Sequence, residues 1–126
     1  MKKRLRLLAL CFAASSILAL PIVTPAAPHS HPLDEDAALA LLVRTLKHDG
    51  VYTHRISWDC ISYDTEETTD AYFDVALREI HNAKCGGDPV MGHVVDRYRV
   101  YRRSGKIKWW EPIEGDWRPY DPTRIK

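Results

Sequence analysis

The chain has 126 residues, 45% of them hydrophobic, with 18 basic and 17 acidic side chains for a formal net charge of +1. This near balance excludes the strongly basic footprint that general nucleic-acid binding requires. The length suits a single domain, and three cysteines are too few for a disulfide-dense scaffold.

Lys2, Lys3, Arg4 and Arg6 precede an apolar run, Leu7 to Leu20, broken only by Ser15 and Ser16. Pro21 ends the run, and Thr24-Pro25-Ala26-Ala27 offers the small residues a signal peptidase accepts. The apolar run is shorter than the roughly 20 residues needed to span a bilayer. The pattern predicts a cleavable secretory signal over residues 1–27, cut after Ala26 or Ala27, with no stable membrane span left behind. Cys11 sits inside the apolar run after Leu10, which does not suit a lipoprotein. Cleavage removes four basic residues and leaves 14 against 17 acidic ones, a net charge of −3. The expected location is the periplasm or the exterior of the cell.

Residues 28–33, Pro-His-Ser-His-Pro-Leu, read as an extended linker. His29 and His31 are metal-ligand types two apart, but no third ligand is near, and a flexible tail is the simpler reading. A single α+β domain is expected over 34–126. Asp34 can cap a helix to His48, with Glu35 and Asp36 at its positive end and Gly50 beyond its close. Leu39, Leu42, Val43 and Leu46 form its apolar stripe. Val51 to Tyr63, with Ile56, Trp58 and Cys60 alternating with polar neighbours, predicts a strand. Asp64 to Asp70 reads as an acidic connection. Ala71 to Lys84 fits a strand through Phe73, Val75 and Leu77, or a helix through Phe73, Ala76, Leu77 and Ile80; strand is preferred. Gly86-Gly87-Asp88-Pro89 is a loop. Val94 to Arg102 and Lys106 to Glu111 are strands around a Ser104-Gly105 hairpin turn. The tail 116–126, with Pro119 and Pro122, is expected to be coil. The whole predicts one amphipathic helix packed on an antiparallel sheet of about four strands.

Cys60 and Cys85 remain after export, and an oxidising compartment favours a disulfide between them. A simple hairpin of 52–63 with 71–82 would put Cys60 near its tip and Cys85 past its open end. Bridged cysteines need Cα atoms within about 7 Å, so the disulfide and that hairpin are in conflict.

The segments Ile80-His81-Asn82, Lys84-Cys85-Gly86-Gly87-Asp88-Pro89 and Val95-Asp96-Arg97-Tyr98-Arg99-Val100, followed by Ser104-Gly105-Lys106-Ile107-Lys108-Trp109-Trp110, carry a resemblance. They are similar to small exported bacterial proteins of unassigned function, in which an H-x-x-x-C-G-G-D-P segment precedes a strand and an S/T-G-K hairpin. The order of elements also resembles cystatin-like and PepSY-like α+β folds. Those families are mostly binders or inhibitors of exported enzymes, which implies binding. The chain lacks the glycine and inhibitory-loop pattern of true cystatins, so protease inhibition does not transfer residue by residue.

The residues allow several chemistries. His81 with Cys85 could be written as a nucleophilic pair, or with Glu79 and Asp88 as zinc ligands. Both need a reduced thiol, and in an oxidising compartment Cys85 would instead be paired with Cys60. Glu79, His81 and Asp88 are more simply a structural polar cluster, with Glu79 able to meet Arg97 or Arg99 across paired strands. Trp110, Trp117 and Tyr120 lie among charged residues, and a Trp or Arg in such a setting suits partner binding. Alternatively, Trp110 and Trp117 pack on each other to pin the tail. No cofactor or metal is expected. The preferred reading is a non-enzymatic binding protein, an inhibitor or immunity factor for an envelope-acting enzyme, with Trp110, Trp117, Tyr120, Arg97 and Arg99 at the contact. Alternatives are a module for cell-wall polymer and a small metal or thiol enzyme centred on His81 and Cys85.

Overall fold

A computed structural model describes residues 31–125. The secretory-signal reading of 1–27 lies outside the described residues, as do His29 and the first half of the linker. The linker's last residue is docked. Leu33 N donates to the Arg102 carbonyl at 2.8 Å, and Arg102 Nε donates back to the Leu33 carbonyl at 3.1 Å.

Helix α1 spans Glu35–His48. The Asp34 carboxylate accepts from Ala37 N at 2.8 Å, and Glu35 and Asp36 lie in the first turn, where the helix dipole favours negative charge. At the other end Gly50 adopts φ +68. Gly50 N then bonds the Lys47 carbonyl and Val51 N bonds the Leu46 carbonyl. The buried row is Ala38, Leu42 and Leu46, one residue per turn. Leu39 and Leu41 flank it, whereas Val43, expected in the stripe, is only half-buried and stands outside the core.

After the helix the chain turns. Residues 51–56 are turns and a bend, and Trp58–Cys60 is a single 3-10 turn, so of the strand expected over Val51–Tyr63 only Ile61, Ser62 and Tyr63 are strand. Tyr52 takes a left-handed φ of +69, which curls the backbone instead of extending it. The compensation is a buried polar network. Tyr52 Oη donates to Asp96 Oδ2 at 2.5 Å and shares a 2.5 Å hydrogen bond with Tyr98 Oη. Trp109 Nε1 donates to Asp96 Oδ1 at 3.2 Å. Burial pushes both phenols well above the usual tyrosine range, so they stay neutral.

The sheet has five antiparallel strands in chain order: β1 Ile61–Thr68, β2 Tyr72–Glu79, β3 Val94–Tyr101, β4 Ile107–Glu111 and β5 Asp116–Pro119. The α+β class holds, with five strands rather than about four. Strand β1 occupies most of the stretch expected as an acidic connection, and β5 comes from the tail expected as coil. The β4–β5 turn is organised by Gly115 at φ +68 and by the Glu111 carboxylate, which accepts from Ile113 N and Glu114 N. Ala71–Lys84 contributes strand, not helix, as the Phe73, Val75, Leu77 alternation favours. Phe73, Val75, Leu77, Tyr98, Val100 and Trp109 form the core under Leu42 and Leu46. The β1–β2 register shifts between Thr65 and Glu67, and the β2–β3 register shifts between Leu77 and Arg78.

Cys60 and Cys85 form a disulfide with Cα atoms 5.6 Å apart. The conflict with a hairpin disappears because the hairpin lies further along the chain. Ile61 pairs with Glu79, so Cys60 stands at the open end of β1–β2, where Ile80 N bonds its carbonyl at 2.8 Å. No helix among the described residues is long and apolar enough to cross a membrane.

Opening a 25-residue cross-link releases about 3 kcal/mol of chain entropy to the unfolded state. Paired Cys60→Ser and Cys85→Ser substitution is expected to lower the thermal midpoint by roughly 15 °C, measured by circular dichroism against the oxidised parent.

Candidate functional site: the outer face of the sheet

A strand's side chains alternate between two sides. On β2, Phe73, Val75 and Leu77 face α1, while Tyr72, Asp74, Ala76 and Arg78 face away from it. Tyr72 pairs with Tyr101, Asp74 with Arg99, and Ala76 with Arg97, so these residues share the outer face. Arg99 pairs with Lys108, and Trp110 with Trp117. The described residues contain no second helix to cover this side. Charged and aromatic side chains roof it instead, and Ala76 beneath them is fully buried.

Arg99 is the centre of the roof. Its Nε and Nη2 donate to the two carboxylate oxygens of Asp74, each at 2.7 Å. Its guanidinium carbon lies 3.7 Å from the Tyr72 ring centroid and 4.5 Å from that of Trp117. Two fork bonds and two aromatic contacts fix all of a side chain that is otherwise among the most mobile. Hydrogen bonding to Asp74 pushes the guanidinium above its usual range and keeps it charged. Asp74 is 8% exposed, the one charged residue that is buried among those described. Towards β1, Glu66 accepts from Arg78 Nη2 at 2.7 Å and from Arg97 Nε at 2.8 Å, tying two cations with one carboxylate. Towards β5, Trp110 and Trp117 meet edge to face with centroids 5.4 Å apart. Lys108 lies 5.7 Å from the Tyr101 ring centroid.

Of the residues expected at a partner contact, Arg97, Arg99, Trp110 and Trp117 lie together on this face. Tyr120 does not. Its ring meets Tyr98 on the helix side of the sheet and its hydroxyl donates to Asp49 Oδ2 at 2.8 Å. The expected meeting of Glu79 with Arg97 or Arg99 is corrected too. Glu79 shares the side of Leu77, so the arginines find Glu66 and Asp74 instead. Tyr72, Asp74 and Glu66 were missed as members of the site. The spacing Tyr72-x-Asp74 against Arg97-x-Arg99 carries the signal, because residues two apart on a strand share a face.

Glu79, His81 and Asp88 form a separate cluster beside the disulfide. His81 Nε2 lies 2.8 Å from Glu79 Oε2, and Nδ1 lies 2.9 Å from the Asp88 carbonyl. The Asp88 carboxylate accepts from Val90 N at 3.0 Å, which shapes the turn before Pro89 and Val90. An open cleft of about 490 Å³ runs along this cluster, lined by Arg55, Lys84, His81 and both cysteines. The Cys85 sulfur is bonded to Cys60, so it offers no thiolate. Among the described residues, no group of three or more His, Cys, Asp or Glu side chains is placed to hold a metal ion.

Comparison with protein-family models, with curated proteins and with solved structures found no match. The site therefore rests on its own geometry.

Removing the Asp74 carboxylate leaves Arg99 uncompensated against two rings. Because both side chains keep some contact with water, Asp74→Asn is expected to cost about 2–3 kcal/mol, below the range for a fully buried pair. Arg99→Lys is expected to cost nearly as much, since an ammonium cannot make the planar fork. Urea unfolding of the two variants checks both.

Proposed function

We propose that this chain is an exported, non-enzymatic binding protein that docks the outer face of its sheet onto a protein partner. The partner class is an enzyme acting in the cell envelope, and the chain serves as its inhibitor or immunity factor. We infer a periplasmic or secreted location from the leader pattern and the disulfide.

One observation carries the reading: Arg99 is held by Asp74 and stacked against Tyr72 and Trp117 on a sheet face that no helix among the described residues covers. Trp, Tyr and Arg are the side chains that dominate binding energy at protein interfaces. Holding them in place before contact lowers the entropy lost on association. Arg78, Arg97, Arg99 and Lys108 on this face are set against Asp64, Glu66 and Asp74, a small positive excess. Such a surface suits a protein of mixed charge better than a polyanion. Stacking on a sugar ring is less favoured, because Arg99 already occupies one face each of Tyr72 and Trp117.

The test is recovery of the protein from envelope extract of its own cells. A stoichiometric enzyme that the purified chain inhibits is expected. Trp110→Ala is expected to weaken that complex by about 30-fold, the loss of one anchor worth roughly 2 kcal/mol. Equal inhibition by parent and variant would remove the outer face from the contact. Sedimentation with insoluble cell wall, abolished by the same substitution, would replace the protein partner with a polymer.

A further inference from the structure

We infer that His81 is a pH-operated latch for the loop between β2 and β3: as an imidazolium it fastens residues 87–92 to the end of β2, and on losing a proton it lets them go.

The geometry gives the ring an acceptor at each nitrogen. Nε2 faces the Glu79 carboxylate and Nδ1 faces the Asp88 carbonyl, with the Met91 backbone contributing further. Only the doubly protonated ring donates to both at once. The His81 side chain is 13% exposed. The loop is built around the ring. Gly87, at φ +80, comes so near that a Cβ there would lie 2.7 Å from imidazole carbons. Upstream, the loop is anchored by the disulfide and by the Asn82 carboxamide, which accepts from Lys84 N and Cys85 N. Downstream, Glu79 N donates to the His93 carbonyl at 2.9 Å. Between these anchors, His81 supplies the hydrogen bonds that tie the loop's middle to the strand among the described residues. That middle carries Val90, 89% exposed, and Met91, 50% exposed.

The surroundings favour the charged ring. Its pKa is raised above the ordinary 6.5, first by the Glu79 hydrogen bond and then by the Asp88 carbonyl. Glu79 on β2 favours the proton. His93, edge-on with its centroid 5.8 Å away where β3 begins, and Arg55 and Lys84 across the cleft, oppose it when charged. Lys84 is itself matched by Asp59 at 2.9 Å. When His81 becomes neutral, the single remaining proton stays with the carboxylate, the stronger acceptor. Nδ1 then turns a lone pair towards the Asp88 carbonyl, and the loop contact is the one surrendered. The direction of linkage follows. A raised folded-state pKa means that fastening is complete below 6.5 and is lost as pH rises through the higher folded-state value.

The test is nuclear magnetic resonance of the purified oxidised protein between pH 5 and pH 9. The His81 ring is expected to titrate above 6.5, and the Gly87, Val90 and Met91 amide shifts are expected to follow the same midpoint. The Val90 amide order parameter is expected to fall from about 0.85 to below about 0.6 across it, while that of Val100 stays high. Glu79→Gln is expected to move ring and loop transitions together to lower pH. Gly87→Ala, which displaces the ring, is expected to leave the loop mobile at every pH with the Val100 signals unchanged. A Val90 order parameter that stays flat through the His81 transition overturns the latch, as does a loop transition that keeps its midpoint in Glu79→Gln.

Discussion

The structure answers to one constraint: the single α-helix among the described residues can shield only one side of a five-stranded sheet. On the side facing α1 the answer is an ordinary apolar core of Leu42, Leu46, Val75, Leu77 and Val100. On the other side the same strands must be protected without a second layer. The solution is a roof of paired charges and stacked rings in which Arg99 serves as the fastener. It neutralises Asp74 and touches both Tyr72 and Trp117, on a face where Ala76 is fully buried. A roof of that kind is stable enough to persist in water, yet it is made of the groups that gain most when water leaves. Architecture and proposed function therefore have one cause.

Much of this was legible in the residues. The cap at Asp34, the left-handed Gly50 and the β3–β4 hairpin are local rules, and local rules are written in local sequence. The disulfide followed from compartment and cysteine count, not from geometry. What could not be read was register. Strand β1 holds little apolar material beyond Ile61 and Tyr63, because it lies at the sheet's edge, and its Asp64-Thr65-Glu66-Glu67 stretch imitates a loop. The region before it imitates a strand, since its aromatic residues serve a curled segment pinned by Tyr52. Strand β5 was hidden by prolines that an edge tolerates and a central strand does not.

The same limit explains the mistaken partners within the site. Arg97 and Arg99 were visible as two cations on one side of a strand, but which carboxylates meet them depends on two shifts of register. One slip exchanges the two faces, so Glu79 went to the histidine and Glu66, in the bulge, went to the arginines. The role of the half-buried Asp96 could not be read from the sequence for a related reason. Its two hydrogen-bond partners, Tyr52 and Trp109, come from the turn after the helix and from the next strand.

The sheet's two rims carry a further consequence. An open antiparallel sheet exposes unpaired backbone groups at both margins, and such margins invite other chains to add on. Here the first margin is broken by the irregularity between Thr65 and Glu67 and lined with carboxylates, while the last is only four residues long and ends in Pro119. Stacking of copies rim to rim is thereby discouraged at both margins of the sheet.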